Sequence, residues 1–282
     1  MELQIEQGTP QWLEWRKGKI GASDAATILG VSPWATPFQL WEEKLGLSKP
    51  KEMTASMQRG KDLERQALRA FEDIVGLIMF PKVMQHPLYE WMIASFDGVD
   101  FDMKIFVEIK CPGKSDHAIA LDGHVPEKYI PQIQHQMEVL NVNSGYYFSY
   151  DGVKNACIEV HRKNDYIANL LRKEEEFWNC LQNFEPPALI DRDCIEISSE
   201  EWRVLSDEYK HCMKAIKEFE LLAEKAKKRL IALADGKNAR GAGIKLMKNF
   251  RKGNVDIDAL AEIAGLDKEL FRKPSSSFWR IL

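Results

Sequence analysis

The stretch "FVEIKCP" (residues 106–112) constrains the fold of this chain more than any other. It has the apolar residues of a buried strand, yet it carries Glu108 and Lys110 with only Ile109 between them. Side chains two apart on a strand share a face. Glu108 and Lys110 therefore project side by side, and Val107 and Ile109 face the opposite way. Upstream, "MIASFDGVD" ends a strand at Asp97 with a Gly-containing turn after it. Folding the two as a hairpin brings Asp97 beside Glu108. Two adjacent carboxylates repel each other unless positive charge lies between them. A divalent ion supplies that charge, and hard oxygen donors suit magnesium or manganese. Lys110 can then orient a water or stabilise charge developing on a phosphate. The bland alternative is a solvated hairpin with a surface Glu–Lys pair.

The flanking segments predict helices around this hairpin. "TASMQRGKDLERQALRAFEDIVG" is amphipathic and closes at Gly76. Its apolar stripe runs Met57, Gly60, Ala67, Leu68, Phe71 and Ile74, and Glu64 falls inside it. A carboxylate on a buried face is costly unless it is paired or near a metal, so Glu64 is either part of a site or half of a buried salt bridge. "PEKYIPQIQHQMEVLNV" is a helix with Pro131 in its first turn. Ile130, Ile133 and Met137 mark its core side. Gln132 and Gln136 lie elsewhere with Tyr129, where a glutamine can bind a phosphate oxygen or an attacking water. His135 is expected on the helix surface. Near the N-terminus, Trp12 and Trp15 are expected as packing residues on a short helix, and Ser23 or Asp24 as the N-cap of the next. "TPFQLWEEKLG" opens with Pro37 and closes at Gly46, the usual helix asymmetry. "SGYYFSYDG" and "NACIEVHR" form a strand pair, followed by the helix "DYIANLLRKEEEFWNCLQNF".

The Pro-rich "EPPALIDRD" marks a boundary, giving a core over residues 1–190 and an appended part over 191–282. Beyond it, Leu205, Tyr209, Cys212, Ile216, Phe219, Ala223, Ala226, Leu230 and Leu233 recur at steps of four and three. That is a heptad seam on a long helix, to be packed against another helix or a neighbouring subunit. The tail predicts a strand, a basic stretch, a short helix and a terminal strand. Lys237, Arg240, Lys245, Lys248, Arg251 and Lys252 either line a DNA path or form an ordinary solvated face.

Composition narrows the class. Five scattered cysteines show no CxxC or zinc spacing and read as reduced thiols of a cytosolic protein. No apolar run approaches a membrane span, and the acidic, polar start does not resemble a signal peptide. The net charge of -4 is unusual for a protein that binds nucleic acid over a large surface, but a basic groove can lie inside an acidic shell. The six histidines show no HExxH pattern, and "ARGAG" is followed by no phosphate-loop GK[ST].

Four ordered motifs then carry a resemblance: "GKDLE" (residues 60–64), "SFDG" (95–98), "EIKCP" (108–112) and "YIPQIQ" (129–134). Their order resembles that of phage lambda exonuclease and the YqaJ-type phage recombination nucleases. "RKGKIGAS" (16–23) is similar to the family's R-x6-S segment, and the resemblance spans about residues 9 to 150. It implies an α/β (α+β) fold, with a restriction-endonuclease-like PD-(D/E)xK core whose mixed central sheet is flanked by helices. It also implies digestion of duplex DNA from a 5′ end, leaving a 3′ overhang for a single-strand-annealing partner, in a ring-shaped trimer. Carried over by position, Asp97, Glu108 and the Ile109 carbonyl are metal ligands and Lys110 is the catalytic lysine. Glu64 and Gln132 are supporting residues, and Arg16 and Ser23 contact the 5′-phosphate. Two magnesium (or manganese) ions are expected, in a phage- or prophage-encoded enzyme of the bacterial cytoplasm. A RecB-like or CRISPR-adaptation nuclease shares this core, but many of those bind an iron–sulfur cluster through four cysteines, a pattern missing here. An inactive DNA-binding or assembly module is the remaining alternative.

Overall fold

The computed structural model describes residues 2–3, 9–49, 53–253 and 255–266. Two compact units divide the chain, Met1–Glu196 and Ile197–Leu282. The first unit runs past residue 190 because the segment after the Pro-rich stretch is tied to it. Arg192 donates to the carbonyls of Ser32 and Pro33, each at 3.0 Å, and the Thr36 hydroxyl donates to Asp193.

The first unit opens with β1 (Glu2–Leu3), α1 (Pro10–Trp15) and β2 (Ile20–Gly21). A 3-10 turn at Ala22–Asp24 leads into α2 (Ala25–Ile28), followed by α3 (Pro37–Lys44). Thr36 caps α3 in a capping box with Gln39, each side chain taking the other's backbone N–H. The long α4 (Ala55–Val75) starts at the Thr54 cap and stops at Gly76, whose φ of 69° is left-handed. Next come β3 (Phe80–Gln85), β4 (Met92–Val99), β5 (Phe106–Lys110) and α5 (Lys114–Leu121). The unit closes with α6 (Ile130–Leu140), β6 (Ser144–Tyr150), β7 (Asn155–His161) and α7 (Asn164–Asn183).

The strands form one mixed sheet in the order β1-β3-β4-β5-β6-β7, with β2 pairing β4. β5 and β6 run parallel, which requires the crossover that α5 and α6 supply. One edge of β4 is shared by two neighbours. β2 pairs in parallel with its start at Met92 and Ile93, and β5 pairs antiparallel with its end at Gly98 and Val99. A fork is left between them, at Ser95 and Asp97.

The fork is sharpened by a bulge. Along the β3–β4 ladder, Lys82 opposes Phe96 while Phe80 opposes Val99. Two steps on β3 thus face three on β4, so the extra residue lies in β4 around Asp97 and Gly98. A bulge bends its strand and re-aims a side chain. The strand expected to end at Asp97 instead continues through the bulge to Val99, and the turn begins at Asp100.

Core packing covers both faces of the sheet. Met92, Ala94, Phe96, Phe106 and Tyr147 pack with Ile133 and Met137 of α6 and Phe177 of α7. Val107, Ile109, Phe148 and Tyr150 pack with Ala67 and Phe71 of α4. The packed stripe of α4 is shorter than its sequence pattern, since Met57 and Ile74 are exposed. At Gly145 the chain approaches the Phe106 ring so closely that a Cβ would lie 2.2 Å from it. Gly145→Ala is expected to destabilise the unit by about 1–3 kcal/mol through overpacking. A denaturant midpoint equal to wild type would contradict that expectation.

The second unit holds α8 (Glu200–Leu233), the hairpin β8 (Ala239–Gly241) and β9 (Ile244–Leu246), and α9 (Ile257–Ala264). Ser199 caps α8 through the Trp202 N–H at 3.2 Å. No residue of this 34-residue helix is buried. Its seam residues Leu205, Ile216, Phe219 and Leu230 all remain exposed, so among the described residues the seam has no helix packed over it. The terminal strand expected in "SSSFWRIL" lies outside the described residues.

Candidate active site

The fork on β4 opens into a cavity of about 240 Å³. Its walls come from β4 (Ile93, Ser95, Asp97), β5 (Glu108, Ile109, Lys110) and the segment after β2 (Gly21, Ala22, Ser23), with Trp12, Arg16, Glu64 and Gln132 completing it. Each of the eight residues singled out in the sequence lines this one cavity. They come from six segments spread over more than a hundred residues of chain.

The β4–β5 ladder reaches Gly98↔Val107 and then parts. Beyond it, Asp97 Oδ2 accepts the Ile109 N–H at 2.7 Å. A side chain thus replaces a ladder bond and holds the carboxylate against β5. The Ile109 side chain is buried in the α4-side core, and the residue also lines the cavity.

Glu108 is 2% exposed and is met by three donors. Lys110 Nζ and Gln132 Nε2, the latter at 2.6 Å, donate to Oε1. Gln136 Nε2 donates to Oε2 at 2.5 Å and to the Ser95 carbonyl at 3.2 Å. Both glutamines project from α6, at its N-terminal half and one turn later. Gln136 shared the helix side of Gln132 in the sequence, but nothing in its spacing showed that it would reach Glu108.

The charges in the cavity perturb one another. Burial and the neighbouring Glu108 charge push the Asp97 carboxyl well above the ordinary carboxylate range, against the pull of Lys110 and the Ile109 N–H. Burial disfavours the Lys110 ammonium, yet Glu108 and Asp97 outweigh it and raise its pKa, so it stays protonated. Glu64 does not sit on a buried face, contrary to the stripe pattern. It is exposed, at a part of α4 beyond the packed stripe. Even so, partial burial and the Glu108 charge raise its pKa, with Lys110 and Lys61 opposing. The buried-salt-bridge alternative for Glu64 therefore falls.

Arg16 lies over the Trp12 ring, 4.6 Å from its centroid, and 3.7 Å from Asp24. Trp12 is thus a wall of the cavity and a support for Arg16, rather than a packing residue alone. Asp24 is buried between two cations. Lys44 Nζ lies 2.5 Å away and also donates to the Lys19 carbonyl at 2.7 Å. Burial opposes its ionisation, but Lys44 and Arg16 hold its pKa below the ordinary value. Neither Ser23 nor Asp24 caps α2 through its side chain. Asp24 instead takes the Gly21 N–H at 2.8 Å, and Ser23 stands exposed in the short 3-10 turn. With only four residues, α2 has little dipole to lend an anion.

Elsewhere the histidine reading needs correction. His135 is not on the helix surface but is 0% exposed. Its Nδ1 lies 2.7 Å from Glu174 and its Nε2 2.9 Å from the Ile93 carbonyl, because α6 is wedged between the sheet and α7 and has little free surface. In the second unit, Arg240 and Lys245 oppose each other across the β8–β9 hairpin, and all six basic residues of the tail are exposed.

Among the described residues, no three His, Cys, Asp or Glu side chains gather closely enough to hold a metal ion. The oxygen donors that line the cavity are the Asp97 and Glu108 carboxylates, with the Glu64 carboxylate in its wall. These oxygen donors suit a hard divalent cation.

The chain is similar to several known proteins. Residues 11–146 match the model of the YqaJ-like viral recombinase domain. The chain is 32% identical over 180 residues to the uncharacterized protein YqaJ of Bacillus subtilis (strain 168), covering 62% of this chain and 56% of that protein. It therefore spans little more than half of that relative. Among solved structures, it is similar to an alkaline exonuclease (LHK-Exo) from Laribacter hongkongensis. Identity is 27% and the TM-score 0.55, over 63% of this chain and 94% of that one. The same protein in complex with dAMP matches at 26% identity and TM-score 0.55. The fold is the restriction-endonuclease-like one that the motifs implied.

Proposed function

We propose that this YqaJ-like domain is a metal-dependent exonuclease that digests duplex DNA 5′ to 3′ and leaves 3′ single-stranded overhangs for a single-strand-annealing partner. One observation carries the reading. Asp97, Glu108, the Ile109 peptide and Lys110 converge in a single fork of the sheet, with Gln132 and Glu64 in its walls. The likeness to an alkaline exonuclease supports the same chemistry, and the intact cluster argues against an inactive module.

Asp97, Glu108 and the Ile109 carbonyl would hold magnesium or manganese, two ions to a site. Bound there, such ions lower the pKa of water and stabilise a leaving oxygen. The chain's own groups do the rest. Lys110 presents a fixed ammonium to the negative charge that grows on the phosphate. Gln132 and Gln136 hold Glu108 in one orientation. Glu64, open to solvent, can orient water at the rim. Calcium, with looser geometry, would support binding without cleavage.

Arg16 and Ser23 would receive the 5′-phosphate. Trp12 and Asp24 fix the guanidinium, whose planar fork suits phosphate oxygens. The enzyme would act in the bacterial cytoplasm from a phage or prophage gene; no described helix is long and apolar enough to cross a membrane. The exposed seam of α8 supports assembly, which we read as a trimer ring. Light scattering that returns only monomer would remove the ring.

The deciding experiment is timed digestion of end-labelled linear duplex in magnesium. Wild type should consume 5′-phosphorylated ends faster than 5′-hydroxyl ends. Arg16→Ala should erase most of that preference, a loss of roughly 10- to 100-fold for a charged hydrogen bond. Erosion from the 3′ ends, or no digestion at all, would overturn the proposed activity. Equal rates on both kinds of 5′ end would remove only the phosphate pocket.

A further inference from the structure

Trp34 is 63% exposed on the loop between α2 and α3, an unusual position for so large an apolar ring. Its loop is nevertheless anchored. The Trp34 N–H donates to the buried Ser32 hydroxyl at 3.2 Å. Arg192 binds the two preceding carbonyls, and the Thr36 hydroxyl donates to Asp193. The indole is thus displayed on a pinned backbone.

Part of the ring is backed by a cation and a second aromatic. Lys128 Nζ lies 4.8 Å from its centroid, and the Tyr129 ring 6.2 Å away. Lys128 is itself fixed by Asp116 at 2.7 Å. Tyr129 stacks on Tyr147 at 5.6 Å and has Lys110 Nζ 5.4 Å from its centroid. A continuous line of rings and ammonium groups therefore leads from Lys110 in the cavity out to Trp34.

We propose that Trp34 is a stacking subsite for a nucleobase of the DNA strand entering the cavity, with Lys128 meeting an adjacent phosphate. The inference rests on the nuclease reading above and deepens it. Single-stranded nucleic acid alternates a π-face with an anion, and proteins receive it on aromatic platforms set among cations. An indole presented on an anchored backbone loses little backbone freedom on binding. Its connection to Lys110 assigns it to the strand being cut.

The test uses the full chain as wild type, Trp34→Ala and Trp34→Phe, with a 5′-phosphorylated duplex oligonucleotide in calcium. A parallel set of duplexes carries one abasic site at successive positions from the 5′ end. Trp34→Ala should weaken binding about 5- to 150-fold, the range for losing one base–aromatic stack, and Trp34→Phe should retain most of the affinity. One abasic position should weaken wild type but cost Trp34→Ala nothing further. That non-additivity distinguishes stacking from a general disturbance of the loop. Additive losses at every position, or Trp34→Ala binding like wild type, would overturn the subsite. Digestion by wild type in magnesium is read alongside. If wild type digests the duplex and the coupling is missing, only the subsite fails; if wild type neither binds nor digests, the nuclease reading fails with it.

Discussion

Lys110→Ala is expected to lower duplex digestion by roughly 10²–10³-fold or more while leaving DNA binding near wild type, the loss typical when a group that stabilises transition-state charge is removed. The geometry explains why the effect should fall on chemistry. Lys110 lines the cavity and touches Glu108, which with Asp97 favours its ammonium form against burial. An interaction realised only in the transition state lowers kcat and kcat/KM together. Arginine should not rescue, because a wide planar fork does not replace a compact ammonium. Glu108→Ala is expected to abolish cleavage as well, and also to lower the melting temperature, since it strips the acceptor from Lys110, Gln132 and Gln136. Single-turnover rates and melting curves on the two variants separate these effects. A Lys110→Ala enzyme that cuts at the wild-type rate would end the role assigned to that lysine.

His135→Ala is expected to cost about 3–5 kcal/mol of stability, the range for removing one partner of a buried charged pair. His135 and Glu174 are both wholly buried, and Glu174 Oε2 has no hydrogen-bond partner among the described residues. Without the imidazole, the carboxyl would be left alone in the core and the Ile93 carbonyl would lose its partner. Burial works against charging His135, but Glu174 prevails and raises its pKa above 6.5; burial raises Glu174 as well. The folded chain therefore holds protons that the unfolded chain releases. The His135 contribution is fully present below the unfolded imidazole pKa, near 6.5, and declines as pH rises through the folded value, while the raised Glu174 carboxyl adds a decline of the same sign that starts near 4.5. Urea denaturation across neutral and mildly alkaline pH should show this decline in wild type and a flatter profile in His135→Ala. An unchanged midpoint and slope would mean that the pair contributes nothing. Ile93 forms part of the cavity wall, so the variant should also lose activity indirectly.

Local patterns carried most of the elements. Pro37 with Gly46, the close at Gly76, and the alternation through "FVEIK" are short-range signals, and the corresponding helices and strand stand where these signals put them. The pairing of Asp97 with Glu108 was legible for the same reason, since a hairpin links neighbouring strands. The ordered motifs extended this to Glu64, Gln132, Arg16 and Ser23, and all line one cavity. Glu64 was misread as buried because periodicity reports which side of a helix is apolar, not how far the helix stays covered. The surface reading of His135 failed because α6 is covered by the sheet and by α7, so even its polar residues Gln134, His135 and Gln136 are inside.

The amino-acid sequence by itself determined most of the longer helices and strands, the triplet Asp97, Glu108 and Lys110, and the apolar seam of α8, because each rests on spacing along the backbone. Only the tertiary structure decided the bulge that re-aims Asp97, the reach of Gln136 to Glu108, the seat of Arg16 between Trp12 and Asp24, and the pinned display of Trp34. Those contacts join residues distant in the chain, and they exist only once the sheet has closed and split around β4. Their partners are chosen by packing in three dimensions, which no local period encodes.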